Sequence, residues 1–190
     1  GGWLGIAMPE EVGGAGLGIF EAALIMHTVA NSPGGMSAAS AIHINIFGPH
    51  PIVVHGTEDQ KREWLPELIQ GRSKCCFGVT EPDSGLETGS IQTFAQPDDD
   101  GYIVTGQKIW TSMAQHADKI MLLARTTPKE LCQRATDGLS LFFTDLDKRF
   151  VEVREIPKMG RSAVDSNLVF FDGLPVPRKD LIGEEDRGFE

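Results

Sequence analysis

Between residues 19 and 30 the apolar positions recur three and four apart. Phe20, Ala23, Leu24 and Met26, with His27, share one side of a helical wheel, so the spacing predicts a helix there. Asn31, Ser32, Pro33 and two glycines stop it, and residues 36–55 read as shorter helices interrupted by prolines. Thr57-Glu58-Asp59-Gln60 has the form of a capping box. It opens a helix whose buried stripe is Trp64, Leu65, Leu68 and Ile69 and whose stop is Gly71. From Ser73 the period changes from about 3.6 to two. Strands are predicted over 75–80, 91–96, 102–110, 119–125, 139–145, 151–156 and 167–176, with Asp100-Gly101 as a hairpin turn. Seven short strands separated by turn residues suggest a barrel or two packed sheets. The expectation is an α+β chain: an N-terminal helical bundle portion (1–72), then a barrel-like antiparallel β-domain (73–187). Residues 188–190 read as the start of a further helical domain, and both ends look cut from something longer.

Composition narrows the classes. The 190 residues carry 17 Lys and Arg against 27 Asp and Glu, a net charge of -10, with no basic stripe. That balance argues against nucleic acid and anionic membrane as partners. The most apolar region, 36–54, is broken by His43, Asn45, Gly48, Pro49, His50 and Pro51, so it does not read as a membrane span. Three cysteines, two of them adjacent, suit a reducing compartment better than a disulfide framework.

Candidate chemistry gathers in two places. On an ideal strand over 106–112, Trp110 and Ser112 share one face, and Ile109 and Thr111 share the other. A flat aromatic surface and a hydroxyl would then meet one object. The loop 78–90, GVTEPDSGLETGS, is dense in glycine and hydroxyl residues and could turn backbone N–H groups toward an anion. Taken alone, though, it reads as a connector, and Trp110 alone reads as core. The run GGAGLG (13–18) lacks GxGxxG spacing and a preceding strand, and reads as a tight turn before a helix. His27, His43, His50, His55 and His116 form no HExxH pair and have no CxxC companion, so no metal site is expected. Ser84 lacks a GxSxG elbow, which leaves serine hydrolysis a weak alternative.

Several stretches together resemble the acyl-CoA dehydrogenase family. They are Thr80-Glu81-Pro82-Asp83-Ser84-Gly85, Gly106-Gln107-Lys108-Ile109-Trp110-Thr111-Ser112, Met159-Gly160-Arg161, Val176-Pro177, Ile182-Gly183 and Gly188-Phe189. PEEVGGAGLG and HGTEDQKREWLPELIQG extend the resemblance over nearly the whole chain. It implies FAD as cofactor, held by Phe77, Val79, Thr80, Gly85, Leu86, Trp110, Thr111 and Ser112. Trp110 would lie against the isoalloxazine face away from substrate, and Ser112 would stand near the N5 and O4 edge. Where the family has Ser-Asp this chain has Leu86-Glu87. Leu86 can therefore meet the pyrophosphate or the CoA portion of the substrate only through its backbone. The implied reaction is α,β-dehydrogenation of an acyl-CoA thioester, with the β-hydride passing to the flavin. The resemblance puts the catalytic carboxylate in a C-terminal helical domain, so no catalytic residue is expected within 1–190. It also implies a homotetramer and an electron-transferring flavoprotein as partner, in the cytoplasm of a bacterium or the mitochondrial matrix of a eukaryote. An oxidase or monooxygenase on the same scaffold, and a non-catalytic acyl-CoA-binding or protein-binding module, are the alternatives.

Overall fold

The computed structural model describes residues 2–161 and 163–190. Four helices come first: α1 (Ile19–Ala30), α2 (Gly35–Phe47), α3 (His50–His55) and α4 (Glu58–Ile69). Gly48, Pro49 and Pro51 separate α2 from α3, since the two prolines have no N–H with which to carry on the helical ladder of α2, although Gly48 itself is still in the helical region. At α4 the capping box forms as expected. Gln60 N–H donates to Thr57 Oγ1 at 3.2 Å and Thr57 N–H donates to Gln60 Oε1 at 2.8 Å. Trp64, Leu65, Leu68 and Ile69 are all buried, and Gly71 follows with a φ of 68°. Helix α1 has the predicted span but not a buried stripe. Only Ala22 is buried, while Phe20 is 72% exposed and Leu24 also faces outward.

Eight strands follow: β1 (Cys75–Gly78), β2 (Phe94–Asp98), β3 (Gly101–Ser112), β4 (Lys119–Arg125), β5 (Leu139–Asp145), β6 (Val151–Glu155), β7 (Ser166–Pro177) and β8 (Leu181–Ile182). The hydrogen-bonded path runs β6-β7-β3-β2-β4-β5-β8, with β1 added alongside β4. The α+β architecture stands, but two details of the expectation change. The path does not close, so the sheet is open rather than a barrel. It is also mixed, because β1 and β2 each pair with β4 in parallel. One edge of β4 is thereby shared: β1 takes residues 119–122 and β2 meets Arg125.

Strands β4 and β5 divide two cores between them. Ile120, Leu122, Ala124 and Phe142 face one cluster, with Tyr102, Val104, Val169 and Phe171. Met121, Leu123, Leu139, Leu141 and Phe143 face the other, with Trp64, Leu65, Leu68 and Ile52 from the helices. Burial on both faces is why these strands read as unbroken apolar runs instead of alternating. Trp64 meets Phe143 edge-on at 5.2 Å between ring centroids. Gln60 Nε2 donates to the carbonyls of Lys179 and Leu181 at 2.7 and 2.8 Å, tying α4 to the turn before β8.

Candidate active site

The two sequence stretches singled out meet directly. Ile109 N–H donates to Thr80 O at 2.8 Å, so the end of β3 is bonded to the loop that follows β1. Beside that bond β3 does not stay regular. Its register against β7 slips between Lys108 and Thr111, the signature of a bulge, and Trp110 takes a left-handed φ of 61°. The flat alternation expected across Trp110, Thr111 and Ser112 is therefore interrupted at Trp110, where the strand kinks. The kink turns the indole outward, 57% exposed. Thr111 turns inward and is buried, with Asn167 Nδ2 donating to its carbonyl at 2.9 Å and its own Oγ1 without a partner among the described residues. Ser112 is half-buried at the last register pair with Ser166.

Under this junction lies an ion pair that the sequence reading did not single out as part of a site. Lys108 Nζ is 2.8 Å from Glu81 Oε1, and neither side chain is exposed by more than 6%. Lys108 Nζ also donates to Val79 O at 3.1 Å. Glu81 accepts from Gln92 N–H at 2.6 Å and Thr93 N–H at 2.9 Å. Burial pulls the Lys108 ammonium down to about 8, with Glu81 opposing the fall. Burial alone would raise the Glu81 carboxyl, but the Lys108 charge and its own hydrogen bonds outweigh that and hold it below its ordinary value. A signal was present in the sequence: position 108 shares the parity of Tyr102 and Val104, both core-facing, so a lysine there needed an internal partner.

The remainder of the loop divides into closed and open parts. Glu81 and Ser84 exchange backbone hydrogen bonds at 3.0 and 3.1 Å, and Ser84 Oγ donates to Glu87 O at 2.6 Å. Ser84 is thus a buried turn former. Beyond it, Gly85 and Leu86 are exposed, and neither N–H has a protein partner among the described residues. Phe77 and Val79 open on a different side, into a groove of about 920 Å³ that they share with Val54 and His55 of α3 and with Phe189. Glu81, Lys108 and Thr111 do not line that groove. Among the described residues no cluster of three or more His, Cys, Asp or Glu side chains is arranged to hold a metal ion.

The residues present fit an isoalloxazine and its pyrophosphate on three counts. An outward indole offers a flat apolar face. Two unpartnered N–H groups at Gly85 and Leu86 offer donors to an anion. The Val79–Thr80 peptide is trans, so with the Val79 carbonyl bonded to Lys108 the Thr80 N–H points the opposite way, away from the buried lysine.

The fold and this junction together place the chain in a class of two-part proteins, helices followed by a mixed sheet with a bulged strand against a glycine-rich loop. The N-terminal and middle domain models of acyl-CoA dehydrogenase match residues 1–72 and 76–174, and the chain belongs to that family. It is 30% identical over 189 residues to an acyl-CoA dehydrogenase of Bacillus subtilis, covering 99% of this chain and 48% of the relative. It is 33% identical over 194 residues to the mitochondrial very long-chain specific acyl-CoA dehydrogenase of Rattus norvegicus, covering 29% of that protein. Butyryl-CoA dehydrogenase of Megasphaera elsdenii superposes with a TM-score of 0.90 at 27% identity, over 99% of this chain and 49% of that one. The chain thus spans about half the length of the Bacillus and Megasphaera relatives.

Proposed function

We propose that these residues form the cofactor-facing half of an FAD-dependent enzyme that dehydrogenates an acyl-CoA thioester across its α and β carbons. The observation that carries this reading is the Ile109-to-Thr80 bond, which sets the outward Trp110 beside the loop whose free donors suit a pyrophosphate. Trp110 supplies the apolar wall on one side of the ring and keeps water from it. Thr80 N–H and the Ser112 hydroxyl stand as donors for the ring's polar edge. Gly85 and Leu86 N–H bind the phosphates. Phe77 and Val79, opening into the groove beside α3, complete the flavin site, and the Leu86 backbone is placed where it can also meet the CoA portion of the substrate. FAD bound here supplies the two-electron acceptor. The thioester gives up an α-proton and a β-hydride and becomes the 2-enoyl thioester, so a base must take the proton. Glu81 is unsuited to that role because its carboxylate is already held by Lys108 and two amides. We place the base outside residues 1–190, and propose a homotetramer with an electron-transferring flavoprotein as redox partner. Three cysteines without disulfides fit a bacterial cytoplasm or a mitochondrial matrix.

The test is to purify the full-length protein, measure its flavin content and titrate it anaerobically with acyl-CoAs of several chain lengths. Bleaching of the flavin absorbance with formation of the enoyl thioester is the expected result. A protein that cannot take up FAD would remove the reading, and rapid reoxidation of the reduced flavin by air would move it from dehydrogenase to oxidase.

A further inference from the structure

Resting on the flavin reading above, we propose that Lys108 and Glu81 are a positioning pair: their buried ion pair fixes the Val79–Thr80 peptide so that its N–H is aimed at the bound flavin. Three observations carry this. First, the Lys108 ammonium has two partners, the Glu81 carboxylate at 2.8 Å and the Val79 carbonyl at 3.1 Å, so it holds one particular peptide as well as neutralising a charge. A trans peptide directs its C=O and N–H oppositely, so holding the Val79 oxygen inward sets the Thr80 N–H outward. Second, the carboxylate is itself fixed on its far side by the amides of Gln92 and Thr93, which anchors the lysine to the segment leading into β2 rather than to the loop alone. Third, the backbone makes room for the arrangement. A Cβ at Gly78 would sit 2.9 Å from Ile120 Cδ1 and 3.4 Å from Lys108 Cγ, so glycine there lets the lysine stem pass beneath the end of β1.

Stability alone does not account for such a pair. Two charges taken out of water lose hydration that their attraction only partly restores, and apolar side chains of similar size commonly serve a core as well or better. What an ammonium offers and a methyl does not is direction, because its hydrogen bond selects one orientation of the peptide it touches. The neighbouring Ile109-to-Thr80 bond fixes the next peptide in the same sense, since Thr80 O is held by β3 and Glu81 N–H turns away to Ser84 O at 3.0 Å. Two successive carbonyls are thereby drawn toward β3, and the donor between them faces outward.

The experiment uses the full-length protein and three variants: Lys108→Met combined with Glu81→Gln, the milder Glu81→Gln alone, and Trp110→Ala as a reference for direct flavin contact. The paired substitution avoids leaving a buried carboxylate without its cation, and glutamine keeps an acceptor oxygen for one of the two amides of Gln92 and Thr93, which bond different carboxylate oxygens. The dissociation constant for FAD is read from flavin fluorescence, and the FAD-dependent rise in melting temperature is read on the same samples. The melting shift reports binding even where the apoprotein is marginally stable. The positioning role predicts at least tenfold weaker FAD in the double variant, at least threefold weaker in Glu81→Gln, and a smaller FAD-induced melting shift in both. A merely structural role predicts lower melting temperatures for the apoproteins but an unchanged dissociation constant and an unchanged FAD-induced shift, and that result overturns the proposal. Should the wild-type protein itself bind no FAD, the functional reading fails, and the positioning role falls with it. Wild-type binding with unaltered variants sinks the positioning role alone.

Discussion

Trp110 combines two roles that conflict: a large side chain in the left-handed region, where a Cβ crowds the backbone by roughly 1–2 kcal/mol. Such a cost persists where surrounding bonds over-determine the conformation, and here the Ile109-to-Thr80 and Asn167-to-Thr111 bonds flank the residue. Removing the indole separates the two roles. Trp110→Ala in the full-length protein should weaken FAD by roughly 1–3 kcal/mol through lost aromatic contact and buried area, read by fluorescence titration. Trp110→Gly should bind FAD as poorly as the alanine variant, yet its apoprotein should resist urea better by roughly 1 kcal/mol, because glycine adopts positive φ freely. Glu81 gives a pH-dependent expectation. Its folded carboxyl lies below the ordinary 4.5, so its contribution to stability is complete above that value and is lost as pH falls through the folded one. The stability difference between wild type and Glu81→Gln, from urea unfolding at a series of pH values, should therefore shrink as pH drops below about 4.5. At this scale the sequence showed which residues to watch but not how they sit. No glycine marks the bulge at 109–110, and alternation extrapolated through it yields a flat strand. The pairing of Lys108 with Glu81 depends on two elements 27 residues apart, which no local spacing reveals.

Helix α4 is the element whose sequence and structure agree most closely, because its signals are local: a capping box, a stripe of apolar residues and a terminal glycine. Its two capping residues should nonetheless differ when truncated. Thr57→Ala loses one cap and should cost about 1 kcal/mol. Gln60→Ala loses the reciprocal cap and also leaves the Lys179 and Leu181 carbonyls without their donor, so a cost of roughly 2–3 kcal/mol is expected. Urea denaturation of both variants checks the order, and equal costs would mean that the bridge to the sheet contributes nothing. Strands β4 and β5 were legible to the residue, since an apolar run bounded by charges and turns has few other readings. The second strand was not. It was expected over 91–96 and lies at Phe94–Asp98, because Ile91 and Thr93 are buried in the loop that serves Glu81 and Arg125 instead of in a ladder. Strand direction was illegible too: parallel pairing of β1 and β2 with β4 is set by the path of the chain, not by composition.

Across the whole molecule, one surface is unlike the rest. Ile19 is 83% exposed and, with Met36 and Phe47, lines a largely apolar groove of about 950 Å³ between α1 and α2. A periodicity that predicts a helix cannot say what covers it, which is why α1 was legible as an element but not as a packed one. The 190-residue chain on its own should self-associate through this face, and Ile19→Ser with Met36→Ser should lower its apparent mass in sedimentation. Loaded with FAD, that chain should show no acyl-CoA oxidation with an artificial acceptor, while the full-length protein does; comparable turnover would place the base among these residues after all. The pairing of β3 with β7 bears on something else, the order in which the molecule assembles as it is made. The register runs from Ser112 opposite Ser166 to Gly101 opposite Pro177. On a ribosome β3 emerges long before β7, so one side of a twelve-residue strand stays without its neighbour while β4, β5 and β6 are synthesised. When β7 does appear, its first residues should meet the far end of β3, and the two strands are expected to close from the kink at Trp110 back toward the turn at Gly101.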